Sequence, residues 1–210
     1  MRRRDAIYST LKRQIVLNEL KPGKVLTELA IAADLGSSQG PVREALMRLQ
    51  EDGLVQRSGH RGTTVTPLNP EEAAEILALR RRIEVRAAPR AMRAVDDAAL
   101  KRLARLIELM GEAAAADDAY ALIEHDTEFH LEIFRLADLQ ALEQILVRCI
   151  LHSHRQKLWE PRHRRPLAAA VARHDILLEL VRHRDGDGLA NALGQHIDTI
   201  VQIEPQRAAS

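Results

Sequence analysis

Aromatic residues are nearly missing from this chain: one Trp, two Tyr and two Phe among 210 residues, 2% of the total. Hydrophobic content is nevertheless 46%, rich in Ala and Leu and interleaved with Arg, a composition that suits helices packed on helices. A mostly α protein is the expectation. The single cysteine, Cys149, excludes an internal disulfide, and a chain with no staple and no export signal reads as intracellular. The basic start "MRRRDAIYST" has no apolar stretch behind it and does not read as a signal peptide. No uninterrupted apolar run approaches the about 20 residues that span a bilayer. A soluble, cytoplasmic chain without a membrane partner is expected.

Net charge is also small, +1, but it is unevenly shared. Residues 1–67 hold 11 Lys/Arg against 7 Asp/Glu, net +4, whereas residues 68–210 hold 20 against 23, net −3. The basic end is the candidate for a polyanionic partner. The charge shift falls near "TVTPLNPEEAAE", where Pro70 followed by Glu71 and Glu72 reads as a helix start. Two domains are therefore expected, 1–67 and 70–210. No internal repeat or low-complexity segment is evident.

Within the first domain, Ile7, Leu11, Ile15 and Leu20 lie near one face of a helix over 5–20 that "KPGK" stops. Thr27 is placed to cap a short helix carrying Leu29, Ala32, Ala33 and Leu35, and Gly36 to end it. Ser38 then precedes a third helix whose stripe Val42, Ala45, Leu46 and Leu49 must face a core, leaving Gln39, Gly40, Arg43 and Met47 outward. "LVQR", the turn "SGHRG" and "TTVT" follow as a hairpin. Together these elements describe a winged helix-turn-helix. Its third helix fits the major groove, with Arg43 the candidate for a bidentate guanine contact and Ser38 for a phosphate. The wing residues His60, Arg61 and Gly62 can follow the backbone or the minor groove, and Arg2, Arg3 and Arg4 can form a basic arm. Each has a plainer alternative: a solvated charge for Arg43, a turn residue for His60, a loose tail for the arm.

The run "GPVREALMRLQEDGLV" with "GHRGTTV" resembles the winged helix-turn-helix of the GntR superfamily of bacterial transcription regulators. That resemblance covers about residues 5–67 and implies contact with double-stranded operator DNA through Ser38, Arg43 and the wing around Gly62. Gln39 and Gly40 stand where the family usually has Arg and Thr, a departure bearing on which operator is bound.

From residue 70 onward the chain reads as about six helices, over 70–94, 97–115, 118–137, 139–160, 164–184 and 187–203, joined by short breaks as in an antiparallel bundle. Asp126 and His130, at i and i+4, share a helix face. His174 and His196 lie 12 residues before and 10 after a turn near Gly186. At about 1.5 Å rise per residue they come to nearly the same level of one helical hairpin. Three imidazoles and one carboxylate suit a divalent ion such as Zn²⁺ or Ni²⁺. The plain alternative is an intrahelical pair and unrelated surface histidines. His125, His152, His154, His163 and His183 read as surface or rim residues.

The segments "DTEFHLEIFRLA", "RHDILLELVRHRDGDGLANALGQHI" and "LALRRRIEVRAA" are similar to the all-helical FCD effector-binding domain of the FadR-like branch of the same superfamily. The resemblance implies metal-ligand roles for Asp126, His130, His174 and His196, and a small carboxylate metabolite as effector. Arg80 matches the family's Arg in the first helix of that domain and is the leading candidate to grip the carboxylate. Its alternative is a salt bridge to Glu84, and Arg148 is a weaker candidate. The reading is then a homodimeric, metabolite-responsive regulator, a repressor released by its effector. A metal-dependent hydrolase built on the same Asp/His set is the alternative, disfavoured by the absence of H-E-x-x-H and by four protein ligands where catalytic sites usually keep three. A purely structural metal is a third reading.

Overall fold

The computed structural model describes residues 3–57, 62–159 and 166–199. The chain divides into two compact units, one ending at Ala73 and the other beginning at Ala74.

The first unit opens with α1 (Arg3–Val16), which buries Ile7, Tyr8, Leu11, Ile15 and Val16. It begins earlier and stops earlier than the expected 5–20, and Leu20 lies beyond it, half-buried. Arg3 and Arg4 are helical residues rather than a loose arm. The Arg3 guanidinium donates to the Gly36 carbonyl, and Arg4 pairs with Glu44 at 2.8 Å. Arg2 lies outside the described residues.

A two-residue strand, β1 (Val25–Leu26), precedes α2 (Glu28–Asp34), whose N-cap Thr27 accepts a hydrogen bond from the Ala30 amide at 3.2 Å. Gly36 takes φ +57° just past its end, where a glycine avoids the Cβ penalty. The buried face of this helix is Ile31 and Ala32; of the apolar positions read from the sequence only Ala32 is buried, whereas Leu29 is 69% exposed and Ala33 and Leu35 are exposed too. Seven residues are only two turns, and Leu29 and Ile31, two positions apart, lie about 200° apart around the axis and so on opposite faces.

In α3 (Gln39–Glu51) the expected stripe Val42, Ala45, Leu46 and Leu49 is buried, and Gln39, Gly40, Arg43 and Met47 are exposed. Tyr8 donates to Asp52 at 2.5 Å, and Arg48 stacks over the Tyr8 ring at 3.9 Å, tying α1 to the end of α3. Strands β2 (Val55–Arg57) and β3 (Thr63–Val65) form the wing, and β1 pairs with the free edge of β3 to give the antiparallel order β1-β3-β2.

Six helices are described in the second region: α4 (Pro70–Ala91), α5 (Asp97–Ala115), α6 (Ala119–Arg135), α7 (Gln140–Trp159), α8 (Leu167–Arg182) and α9 (Gly186–Asp198). Aspartates cap three of them through their side chains, Asp96 on α5, Asp118 on α6 and Asp185 on α9, which satisfies amides that a helix start leaves unpaired. Sequential packing joins α5 to α6, α6 to α7 and α8 to α9, and α5 also packs on α8. Leu103, Met110, Phe129, Phe134, Leu146, Ile150 and Val181 are among the side chains that fill the space between them. Gly186, at the start of α9, sits where a Cβ would approach Pro89 Cα to 2.7 Å, so only glycine lets α9 meet α4 this closely. Among the described residues no helix is long and apolar enough to cross a membrane.

Candidate functional site

Helix α6 supplies Asp126 and His130, one turn apart, on the face that also buries Phe129 and Ile133. Across the α8–α9 hairpin, His174 and His196 meet with ring centroids 4.7 Å apart, so the level-matching expected from the turn is observed. Ligand-type atoms of Asp126, His130, His174 and His196 all lie within 4.8 Å of one another, and all four residues are buried. The Phe129 ring stands edge-on to both His130, at 5.9 Å, and His174, at 5.1 Å, closing the apolar side.

Neighbouring groups set which ring nitrogen is available. His130 Nδ1 is 2.6 Å from Glu84 Oε2, and His174 Nδ1 is 2.8 Å from the Ala170 carbonyl. Both acceptors need a proton, so each Nδ1 carries it and each Nε2 keeps a lone pair. Those two Nε2 atoms and His196 Nδ1 are buried and have no hydrogen-bond partner, and the Asp126 carboxylate lies among them. Buried polar atoms are normally paired. Three such nitrogens enclosed with a carboxylate make a donor set that could hold a divalent cation.

Electrostatics agree. Burial alone would raise the Asp126 carboxyl, but His154 and His174 beside it outweigh burial and hold it well below the usual range. Burial, reinforced by His174 and His130, keeps His196 well below the ordinary histidine value, so it is a neutral donor near pH 7. Burial would likewise raise Glu84, but Arg80 and His130 bring it down to about 2.

Arg80 is fully buried, and its Nε donates to Glu84 Oε1 at 2.6 Å. The i, i+4 salt bridge is therefore present, yet Nη1 and Nη2 make no hydrogen bond. Arg148, by contrast, is exposed on α7. His152 and His154, expected at the surface, are instead buried, because the final turns of α7 face the bundle interior. Burial also depresses the His154 imidazole, only partly offset by Asp126, whose Oδ2 is 2.9 Å from His154 Nε2. His125 is half-buried, His183 is exposed, and His163 lies outside the described residues. Glu84 and His154 are the members of this constellation that sequence reasoning did not assign to it. The only sequence signal for Glu84 was its i+4 spacing from Arg80. An open groove of about 210 Å³, lined by residues including Arg173, Ile176, Gln195 and Thr199, reaches His196.

In the first unit, Ser38 occupies the N-cap position of α3, but its side chain makes no capping bond there. Arg43, on the next turn, directs Nε and Nη2 at the Glu28 carboxylate of α2, the shortest contact being 2.7 Å. Glu28 therefore holds the Arg43 fork in one orientation on the exposed face of α3. Gly62 has φ +80°, and His60 and Arg61 fall outside the described residues.

Comparison with known proteins fits both units. Residues 3–65 match the family described as bacterial regulatory proteins, gntR family, and residues 75–199 match the FCD domain. The HTH-type transcriptional repressor RspR of Escherichia coli (strain K12) is 26% identical over 194 residues, 92% of this chain and 85% of that protein. The gluconate operon transcriptional repressor of Bacillus subtilis (strain 168) is 26% identical over 197 residues, 90% of this chain and 80% of its own. Among solved structures, E. coli McbR/YncC superposes with a TM-score of 0.78 at 23% identity, covering 94% of each chain, which shows a shared fold. GntR regulators bind operator DNA and FCD domains bind small metabolites; they are not enzymes, so the hydrolase reading is dropped. A helix-turn-helix with a sheet-paired wing and a helical unit that matches the FCD domain make this chain a member of the GntR family of bacterial transcription regulators.

Proposed function

We propose that the chain is a metabolite-responsive repressor. It binds a short palindromic operator as a homodimer, and a small carboxylate held beside a divalent ion, Zn²⁺ or Ni²⁺, lowers its affinity for that operator. One observation carries the effector half. Three buried imidazole nitrogens without hydrogen-bond partners and the Asp126 carboxylate beside them belong to the same constellation as a fully buried guanidinium whose Nη1 and Nη2 are also unpartnered. Asp126, His130, His174 and His196 would hold the ion, and the chemistry it supplies when bound is an electrophilic anchor for a carboxylate oxygen. Arg80, held through Nε by Glu84, offers its remaining N–H groups to the same anion. In the first unit, Ser38, Gln39 and Arg43 would face the major groove, with Gly62, His60 and Arg61 on the wing.

Because effector and operator binding are linked, a carboxylate that weakens DNA binding must itself bind more weakly when the operator is present. The test is selection of bound sequences from random duplex DNA with the purified full chain. Operator affinity is then measured after chelation, with Zn²⁺, and with Zn²⁺ plus a panel of small carboxylates. An enriched palindrome whose affinity falls at least about 5-fold with one carboxylate, and does not fall in Arg80→Ala, supports the proposal. No enriched sequence would overturn the operator half. An affinity indifferent to every metal and carboxylate would overturn the effector half.

A further inference from the structure

The two oxygens of Asp126 face different neighbours. Oδ1 is 3.2 Å from His174 Nε2, whereas Oδ2 is 3.9 Å from His130 Nε2 and only 2.9 Å from His154 Nε2. His154 comes from α7, a helix that contributes none of the four clustered residues. It is 4% exposed, and its Nε2, like Asp126 Oδ2, makes no aligned hydrogen bond. An oxygen that needs a donor and a ring nitrogen able to carry a proton are thus enclosed together at hydrogen-bonding distance. His154 is not itself among the residues whose ligand atoms fall within 4.8 Å of one another, so its reach is to the carboxylate rather than to the centre of the cluster.

We infer that His154 is the positioning residue for Asp126: as a neutral imidazole protonated on Nε2, it takes Oδ2 and leaves Oδ1 as the one oxygen offered to the ion. The inference rests on the metal reading proposed above. A free carboxylate can meet a cation through one oxygen or both. Outer-shell hydrogen bonds decide such choices and orient the ligand. A single oxygen from Asp126 takes up one coordination position instead of two, which keeps room for an exogenous anion. α7 thereby joins α6, α8 and α9 as a helix whose placement sets the centre.

The test uses the full chain, stripped with chelator and titrated with Co²⁺ alone. The readouts are the visible d–d bands, whose intensity falls as coordination number rises, and the affinity from competition with a chromophoric chelator. In His154→Ala the released Oδ2 joins the ion, so the bands weaken, and affinity falls by about 10- to 100-fold, the range typical of a lost outer-shell partner. In His154→Gln, whose terminal amide can donate from the depth of Nε2, the wild-type spectrum returns and affinity recovers to within about 3-fold. Wild-type bands and affinity in His154→Ala overturn the role of His154 while the centre stands. So does a folded His154→Gln protein with weakened bands. Should the alanine variant fail to fold, the Gln variant decides alone: a wild-type spectrum supports the inference and an altered one overturns it. A wild-type chain that takes up no stoichiometric Co²⁺ overturns the metal reading itself, and this inference with it.

Discussion

Glu84→Gln is the most informative single change, because Glu84 accepts from Arg80 Nε and from His130 Nδ1 at 2.6 Å each, in a site only 4% exposed. The amide keeps the shape but supplies one acceptor and one donor, so either Arg80 or His130 faces a donor, and the buried guanidinium loses its counter-charge. The carboxyl is brought from its ordinary 4.5 down to about 2, with Arg80 and His130 overcoming burial. At about 1.4 kcal/mol per pH unit this corresponds to roughly 3 kcal/mol of native-state stabilisation. The figure sits at the lower edge of the about 3–5 kcal/mol expected when one partner of a buried pair is removed. Since the folded value lies below the unfolded one, that stability is complete above about pH 5 and is lost as pH falls toward 2, so by pH 3 roughly half should be gone. Trp159, the only tryptophan, lies in α7 and reports this region selectively. Urea unfolding of the metal-free chain, followed by its fluorescence, should place the variant about 3 kcal/mol below wild type at pH 7 and distinctly closer at pH 3. A deficit under about 1 kcal/mol at pH 7, or one unchanged at pH 3, would refute the reasoning. The same variant should bind Zn²⁺ about 10- to 100-fold more weakly, because a neutral amide with a single acceptor oxygen replaces the carboxylate that orients His130 through Nδ1 and holds Arg80 as well.

Other outcomes follow from the same geometry. His174→Ala should abolish stoichiometric metal binding by elemental analysis, since it removes one of four donors, and full metal content would sink the ligand set. For the metal-free chain, burial holds His154 and His196 below the ordinary histidine value, so their contribution is present above about pH 6.5 and lost as pH falls below it. Thermal melts should drop between pH 7 and 5, and His196→Ala should flatten that dependence. Arg43→Ala should cost about 1–3 kcal/mol at the selected operator but little on unrelated DNA, measured by fluorescence anisotropy, whereas a uniform loss would mean a phosphate contact. Thr27→Ala should destabilise the first unit by about 1 kcal/mol in denaturant titrations, because it removes the acceptor for the Ala30 amide.

Local periodicity carried most of the fold. The stripe of α3 and the span of α5, expected at 97–115 and found at Asp97–Ala115, were legible because helical faces repeat every 3.6 residues and caps mark the ends. Elements too short to show a period were not: β1 is two residues long, and α2 presents Ile31 rather than Leu29 to the core. The four clustered donors were legible because Asp126 and His130 share a turn and His174 and His196 share a hairpin. Glu84 meets His130 across 46 residues, and His154 reaches Asp126 from another helix, so no local pattern announced either.

What the sequence by itself determined is therefore the buried stripe of α3, the span of α5 and the sharing of one turn by Asp126 and His130, because each depends on residues a few positions apart. The tertiary structure alone decided which histidine meets which carboxylate oxygen, which ring nitrogen keeps its lone pair, and that Arg80 is buried with two nitrogens unpartnered. Those outcomes depend on the rotation and crossing of several helices at once, and these are set by the packing of the whole core.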